Sequence, residues 1–169
     1  MRSVRLLLVV VMILVGVCGC VDPRRAVTRE AAFGPAELRI NDSFSRLRDA
    51  SGDGTPDQLE ASVELLDAFG DATKGAGTFS FEVFEYEVGD VDIRGTRLGE
   101  TRTFALDAGA EQQRYWQPVL RSYLFRLPLD VEPGQRLVLS ASYQPSAGEM
   151  ATTSDKAERL FDRLVVGGS

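Results

Sequence analysis

Six carboxylate or hydroxyl side chains recur at close spacing between residues 49 and 60. They are Asp49, Ser51, Asp53, Thr55, Asp57 and Glu60, set in the run Asp49-Ala50-Ser51-Gly52-Asp53-Gly54-Thr55-Pro56-Asp57-Gln58-Leu59-Glu60. A hard divalent cation takes six to eight oxygen ligands, and alternate positions of a tight loop turn their side chains inward. Gly54 supplies the permissive backbone that such a loop needs at its sharpest bend. The chemistry this spacing offers is calcium coordination.

The run resembles the loop of the EF-hand. Asp49 takes its first position, Ser51 the third, Asp53 the fifth, Gly54 the sixth, Thr55 the seventh, Asp57 the ninth and Glu60 the twelfth. Three departures stand against it. Pro56 occupies the eighth position, where the family places an aliphatic residue that pairs with a sister loop. No second loop is present, and the entering helix would have to be Ser43–Arg48. A shorter set, Asp49, Ser51, Asp53, Thr55 and Asp57, resembles extracellular Asp-Gly calcium repeats. The sequence favours a third reading, a plain solvated turn, because Asp-Gly and Thr-Pro-Asp form turns without any ion.

Other chemistry is thin. The chain contains no histidine, which removes the usual general base, zinc ligand and neutral-pH switch. Asp53-Gly54-Thr55 is similar to part of the Asp-x-Asp-Gly-Thr segment of phosphatases, but Ser51 stands in the nucleophile slot. No nucleophile elbow, phosphate loop or dinucleotide fingerprint occurs. Glu82, Glu85 and Glu87 are the carboxylates that a hydrolase could use; on an alternating strand they read more simply as a solvated face. Tyr115, Trp116 and Tyr123 could stack on sugar rings, and equally anchor a core. The sequence therefore predicts a non-enzymatic module, with a carboxylate-based hydrolase as the weaker alternative.

The N-terminus carries a second kind of chemistry. Arg2 and Arg5 precede an apolar run from Leu6 to Val17, followed by Cys18, Gly19 and Cys20. A basic head, a short apolar core and small residues before a cut site make a secretory signal. Spanning a bilayer takes roughly 20 apolar residues, more than this run provides. Val17-Cys18-Gly19-Cys20 resembles a bacterial lipobox, with Cys20 as the acylated residue. That resemblance implies an exported protein held to the cell envelope membrane by several acyl chains, enough for stable anchoring. Val21, in place of aspartate after the lipidated residue, favours an outer membrane where the host has one.

Processing after Gly19 would leave Cys20 as the sole cysteine, committed to lipid. Losing Arg2 and Arg5 moves the net charge from −6 for the whole chain to −8. So acidic a protein is poorly suited to nucleic acid, whose phosphates need clustered Lys and Arg. The expected partners are the membrane, through the lipid, and a protein or polymer of the envelope.

The elements that must position these residues are strands. Residues 1–19 form the signal, 20–36 a tether punctuated by Pro23, Gly34 and Pro35, and 37–169 one domain. Apolar residues alternate with polar ones over 37–40, 59–65, 79–86, 123–127, 137–143 and 160–166, and more weakly over 101–106. Asp53-Gly54, Gly70-Asp71, Gly75-Ala76-Gly77, Gly89-Asp90 and Pro133-Gly134 punctuate them. The adjacent apolar pair Val83-Phe84 indicates a bulge or a strand buried on both faces. Residues 107–116 read as a short helix or crossover. Over 57–69, period two runs cleanly from Leu59 to Leu65, while Leu59, Val63 and Leu66 also fit a helix capped by Gly70. Seven short strands with such turns predict an all-β sandwich. Residues 57–87 resemble the strand-loop-strand of bacterial Ig-like and transthyretin-like extracellular modules. With the lipobox, the whole chain resembles small bacterial lipoproteins, from which there are no known catalytic residues to carry over.

Overall fold

Alternation of apolar and polar side chains forces a strand to bury one face, and two such sheets can satisfy each other. The computed structural model describes residues 32–89, 92–132, 134–146 and 160–167. The signal, Cys20 and most of the tether lie outside them. In order come β1 (Glu37–Ile40), β2 (Arg46–Arg48), β3 (Gln58–Leu66), β4 (Ala72–Thr73), β5 (Gly77–Tyr86) and β6 (Arg94–Ala105). Helix α1 (Gly109–Tyr115) follows, then β7 (Trp116–Gln117), β8 (Ser122–Pro128), β9 (Leu137–Pro145) and β10 (Leu160–Val166).

The strands make an all-β sandwich of two antiparallel sheets. One runs β1-β3-β8-β7, with β2 and β4 also on β3; the other runs β10-β9-β5-β6. The seven expected strands are all present, with the weak one at 101–106 lengthened into β6. The three added strands, β2, β4 and β7, have only two or three residues each, too short for any periodicity to reveal. The competing helix over 57–69 is excluded by pairing. Along one edge β3 takes β2 and then β1; along the other it takes β8 and then β4. A helix would bond its own backbone internally and leave the facing groups of β1, β2, β4 and β8 without these partners. Where the ladder passes from β2 to β1, the Ser45 hydroxyl accepts from the Ser62 amide at 3.0 Å and the Asn41 amide donates to the Ser62 carbonyl at 2.8 Å.

The expected irregularity at Val83-Phe84 is real, but the extra residues lie in the neighbouring strand. Register with β6 shifts between Phe81 and Val83 and again between Phe84 and Tyr86. Phe81 faces Arg102 and Val83 faces Leu98, so β6 spends more residues than β5 over the same rise. Gly99 makes the bend at a φ of 71°, which residues with a Cβ rarely adopt. Bulges twist the exposed edge β6 away from edge-to-edge pairing.

Between the sheets the core is aromatic. Phe125 of β8 meets Phe79 at 5.0 Å, Phe81 at 4.8 Å, Phe104 at 4.9 Å and Tyr115 at 5.0 Å between ring centroids. Phe79 also meets Tyr143 at 4.7 Å. Leu59, Ala61, Val63 and Leu65 of β3 and Leu137, Leu139 and Ala141 of β9 fill the remainder, all buried. One end is closed by α1. Its Gln112 amide group donates to the carbonyls of Gly75 (2.6 Å) and Leu106 (2.7 Å) and accepts from the Tyr123 hydroxyl. The Gly75-Ala76-Gly77 turn is glycine-rich for want of space. A Cβ on Gly77 would stand 2.4 Å from the Gln144 carbonyl oxygen, and one on Gly75 2.4 Å from the Tyr143 hydroxyl.

Because Phe125 is wholly buried at the centre of this cluster, Phe125→Ala should destabilise the domain by about 3–5 kcal/mol. Val119→Ala, at a side chain 95% exposed, should change stability by less than about 0.5 kcal/mol. Urea unfolding of the two variants measures the contrast.

Candidate functional site

The Asp-rich loop joins β2 to β3 and is built from its own carboxylates. Asp49 accepts from the backbone amides of Gly52 (2.6 Å), Gly54 (2.8 Å) and Asp53 (3.3 Å), and from the Ser51 hydroxyl (3.2 Å). Asp57 accepts from the amides of Ala50 (2.7 Å) and Ser51 (3.0 Å). Gly52 and Gly54 turn the chain at φ values of 79° and 92°. Hydrogen bonds to an ionised carboxylate favour the charged form. Those from the Gly54 amide, with smaller help from Gly52, hold Asp49 below the usual carboxylate range, and that from the Ala50 amide does the same for Asp57. Asp53 accepts from the Thr55 amide at 2.8 Å. The loop's own amides thus supply the positive partners that a cation would otherwise provide.

Glu60 does not close this loop. It lies on β3, where period two sends it to the outer face of the sheet, and it is 4% exposed. Its register partners are Arg46 on one side and Arg126 on the other. Arg48, Arg46 and Arg126 approach its carboxylate at 3.1, 3.3 and 3.5 Å. Burial raises the Glu60 pKa, but the hydrogen bonds and charges of Arg48 and Arg46 outweigh it and the net shift is downward. The strand geometry that the clean alternation predicts therefore takes Glu60 out of the candidate ligand set. Among the described residues, no group of three or more His, Cys, Asp or Glu gathers as a metal cluster.

What the loop does help to build is a cleft of about 740 Å³. Ser51, Asp53, Thr55, Pro56 and Asp57 line one wall. Asp130, Val131, Glu132 and Gln135, from the β8–β9 connection, line another, with Glu85 and Leu98 between. The Leu129 amide donates to the Asp57 carbonyl at 2.9 Å, which holds the two walls together. Glu85 accepts from the Gln135 amide group at 3.4 Å. Five acidic residues line this open space, and among the described residues no Lys or Arg lines it. Glu85 stood among the expected acidic residues; Asp130 and Glu132 gave no sequence signal, because only the fold brings them beside residue 53.

The remaining candidates have local roles. Glu82 accepts from Arg97 (3.4 Å) and from the Thr101 hydroxyl (3.2 Å) on the outer surface. Trp116 is half-buried, lies edge-on to Tyr123 at 5.0 Å, and carries the Lys74 ammonium 4.6 Å above its ring. Compared with known proteins, the chain matches no family model, no curated protein and no solved structure.

Glu60 gives a pH-dependent prediction. Its folded pKa lies below the ordinary 4.5, so its stabilisation is complete above that value and is lost as pH falls through the folded pKa. Glu60→Gln should cost roughly 1–3 kcal/mol at pH 7, since three arginines lose their shared anion. It should also flatten the fall of stability below about pH 4.5. Thermal melts from pH 7 to pH 3 measure both effects.

Proposed function

We propose that this protein is a lipid-anchored, non-enzymatic module of the bacterial cell envelope, outer membrane favoured, that presents its acidic cleft to a cationic partner. The cleft carries the reading. Five acidic residues, with no lining cation among the described residues, make a surface that attracts positive charge over a distance of several ångströms and repels anions. Its position supports the anchor expected from the lipobox. The chain enters the fold at the C-terminal end of β3, where the Ala36 amide donates to the Leu66 carbonyl at 2.7 Å. The cleft lies at the N-terminal end of the same nine-residue strand, about 30 Å away at 3.3–3.4 Å per residue. A tether attached at one pole holds the cleft toward solvent at the other.

The direction of the shifts in the loop makes Asp49 and Asp57 unsuited to general-acid catalysis. A carboxylic acid that donates a proton near neutral pH needs a raised pKa; Asp49 and Asp57 are moved down. Calcium is the second reading, because Ser51, Asp53, Thr55 and Asp57 line the cleft together with Asp130 and Glu132.

Two measurements test the proposal. Cys20→Ser should move the protein from the membrane fraction to the soluble envelope fraction and abolish incorporation of labelled palmitate. Unchanged fractionation and labelling would sink the anchor. An oligolysine peptide should bind the protein at low salt, and Asp130→Asn with Glu132→Gln should weaken that binding several-fold; equal binding by both forms would remove the cleft from the proposal. Titrating chelator-treated protein with calcium to millimolar levels decides the second reading. A rise in Tm supports it, and a flat curve ends it.

A further inference from the structure

Large apolar side chains are left exposed at the pole where the tether joins. Phe33 is 56% exposed and Phe69 69% exposed, and their rings lean together at 5.7 Å. Val119, 95% exposed, tips the nearby β7–β8 turn. The surface is held in shape from behind. The Thr73 hydroxyl donates to the Phe33 carbonyl (3.1 Å), and the Asp67 carboxylate accepts from the Phe69 and Asp71 amides (2.9 and 3.0 Å). Arg121 donates to the Ala72 carbonyl at 2.8 Å, tying the Val119 turn to the same place. Two cations belong to the same end of the fold: Arg121, bonded to the Ala72 carbonyl, and Lys74, whose ammonium lies 4.6 Å above Trp116. Asp67 is turned inward to its amides, which leaves Asp71, and Glu37 opposite Leu66, as the exposed acids here.

We infer that this pole docks on the membrane itself, with Phe33 and Phe69 at the headgroup boundary of an anionic bilayer and Lys74 and Arg121 against its phosphates. The inference rests on the lipid anchor proposed above. Only residues 21–31 separate Cys20 from the described fold, and a span of that length reaches at most about 40 Å. The anchor therefore keeps the pole within about 40 Å of the surface that holds the acyl chains. Aromatic rings settle at membrane interfaces, and basic residues beside them are drawn to anionic headgroups. A bilayer also suits the opposite pole, whose uncompensated carboxylates an anionic surface would repel. Two half-exposed rings add to an acyl anchor without replacing it. Their effect is orientation: the sandwich stands with its acidic cleft outward.

Trp116 is the chain's sole tryptophan and lies under Lys74, so its emission reports this pole directly. The acylated protein, purified from host membranes, is reconstituted in vesicles of phosphatidylglycerol and phosphatidylethanolamine with brominated or unbrominated acyl chains. Brominated vesicles should quench Trp116. Phe33→Ser with Phe69→Ser should lose most of that quenching while still floating with the vesicles, and Val119→Asp, which cannot disturb the core, should reduce it. Raising the phosphatidylglycerol fraction should strengthen the quenching in the parent protein and less so in Arg121→Gln. Acylated protein that floats but shows no quenching, or the same quenching in the serine variant, overturns the docking and leaves the anchor standing. A protein that co-purifies with the parent and is lost from the serine variant also overturns it, by placing a polypeptide on the rings. Protein with no acyl mass on Cys20 that fails to float removes the anchor, and the docking with it.

Discussion

The hydrogen-bond ladders along both edges of β3 are the constraint on which the rest depends. Once Gln58–Leu66 is paired with β1 and β2 on one side and β8 and β4 on the other, every side chain on it has only two directions to point. Leu59, Ala61, Val63 and Leu65 must face the second sheet, and they meet an aromatic layer centred on Phe79 and Phe125. Glu60, Ser62 and Glu64 must face outward. Glu60 is then covered by arginines from the strands on either side, and Ser62 shares a hydroxyl contact of 3.0 Å with Ser122. A shift of one residue would exchange the two sets and bury three polar groups in the core.

The same strand separates two chemically different poles. At its start, the 49–57 loop and the β8–β9 connection bring carboxylates together around an open cleft. At its end, the 67–73 turn holds the segment that precedes β1, and Phe33 and Phe69 are exposed there. Neither pole is an accident of the core, since the interior packing would be served by polar residues at Phe69 and by neutral ones at Asp130. The two ends are thus chemically unlike: acidic residues around a cleft at one, exposed aromatic rings among charges of both signs at the other.

The local chemistry of the Asp-rich loop illustrates how a motif divides when it folds. Oxygen donors at alternate positions satisfy the spacing of a cation cage, and the glycines permit its bends. In the folded loop Asp49 and Asp57 bind backbone amides, which already supply partial positive charge to both carboxylates. Glu60 leaves the set because β3 begins at Gln58, before it can turn inward. The same six residues thus serve a closed turn, one wall of a cleft and a buried ion cluster, three roles that a linear spacing cannot separate.

Alternation along single segments was enough to predict the all-β sandwich and most of its long strands, because burying one face of a strand is a local demand with period two; over 57–69 it left a helix open, and of β6 it caught only the end. The absence of histidine and the acidic charge likewise belong to composition and need no structure to read. Short strands such as β2 and β7, the placement of extra residues in β6, and the arginines around Glu60 came only from tertiary structure, since each depends on a partner far along the chain. The cleft is the clearest case. Asp53 and Asp57 were visible as an acidic loop, but Asp130 and Glu132 join them only where β8 ends beside the start of β3, and that adjacency is a property of sheet order, not of any segment.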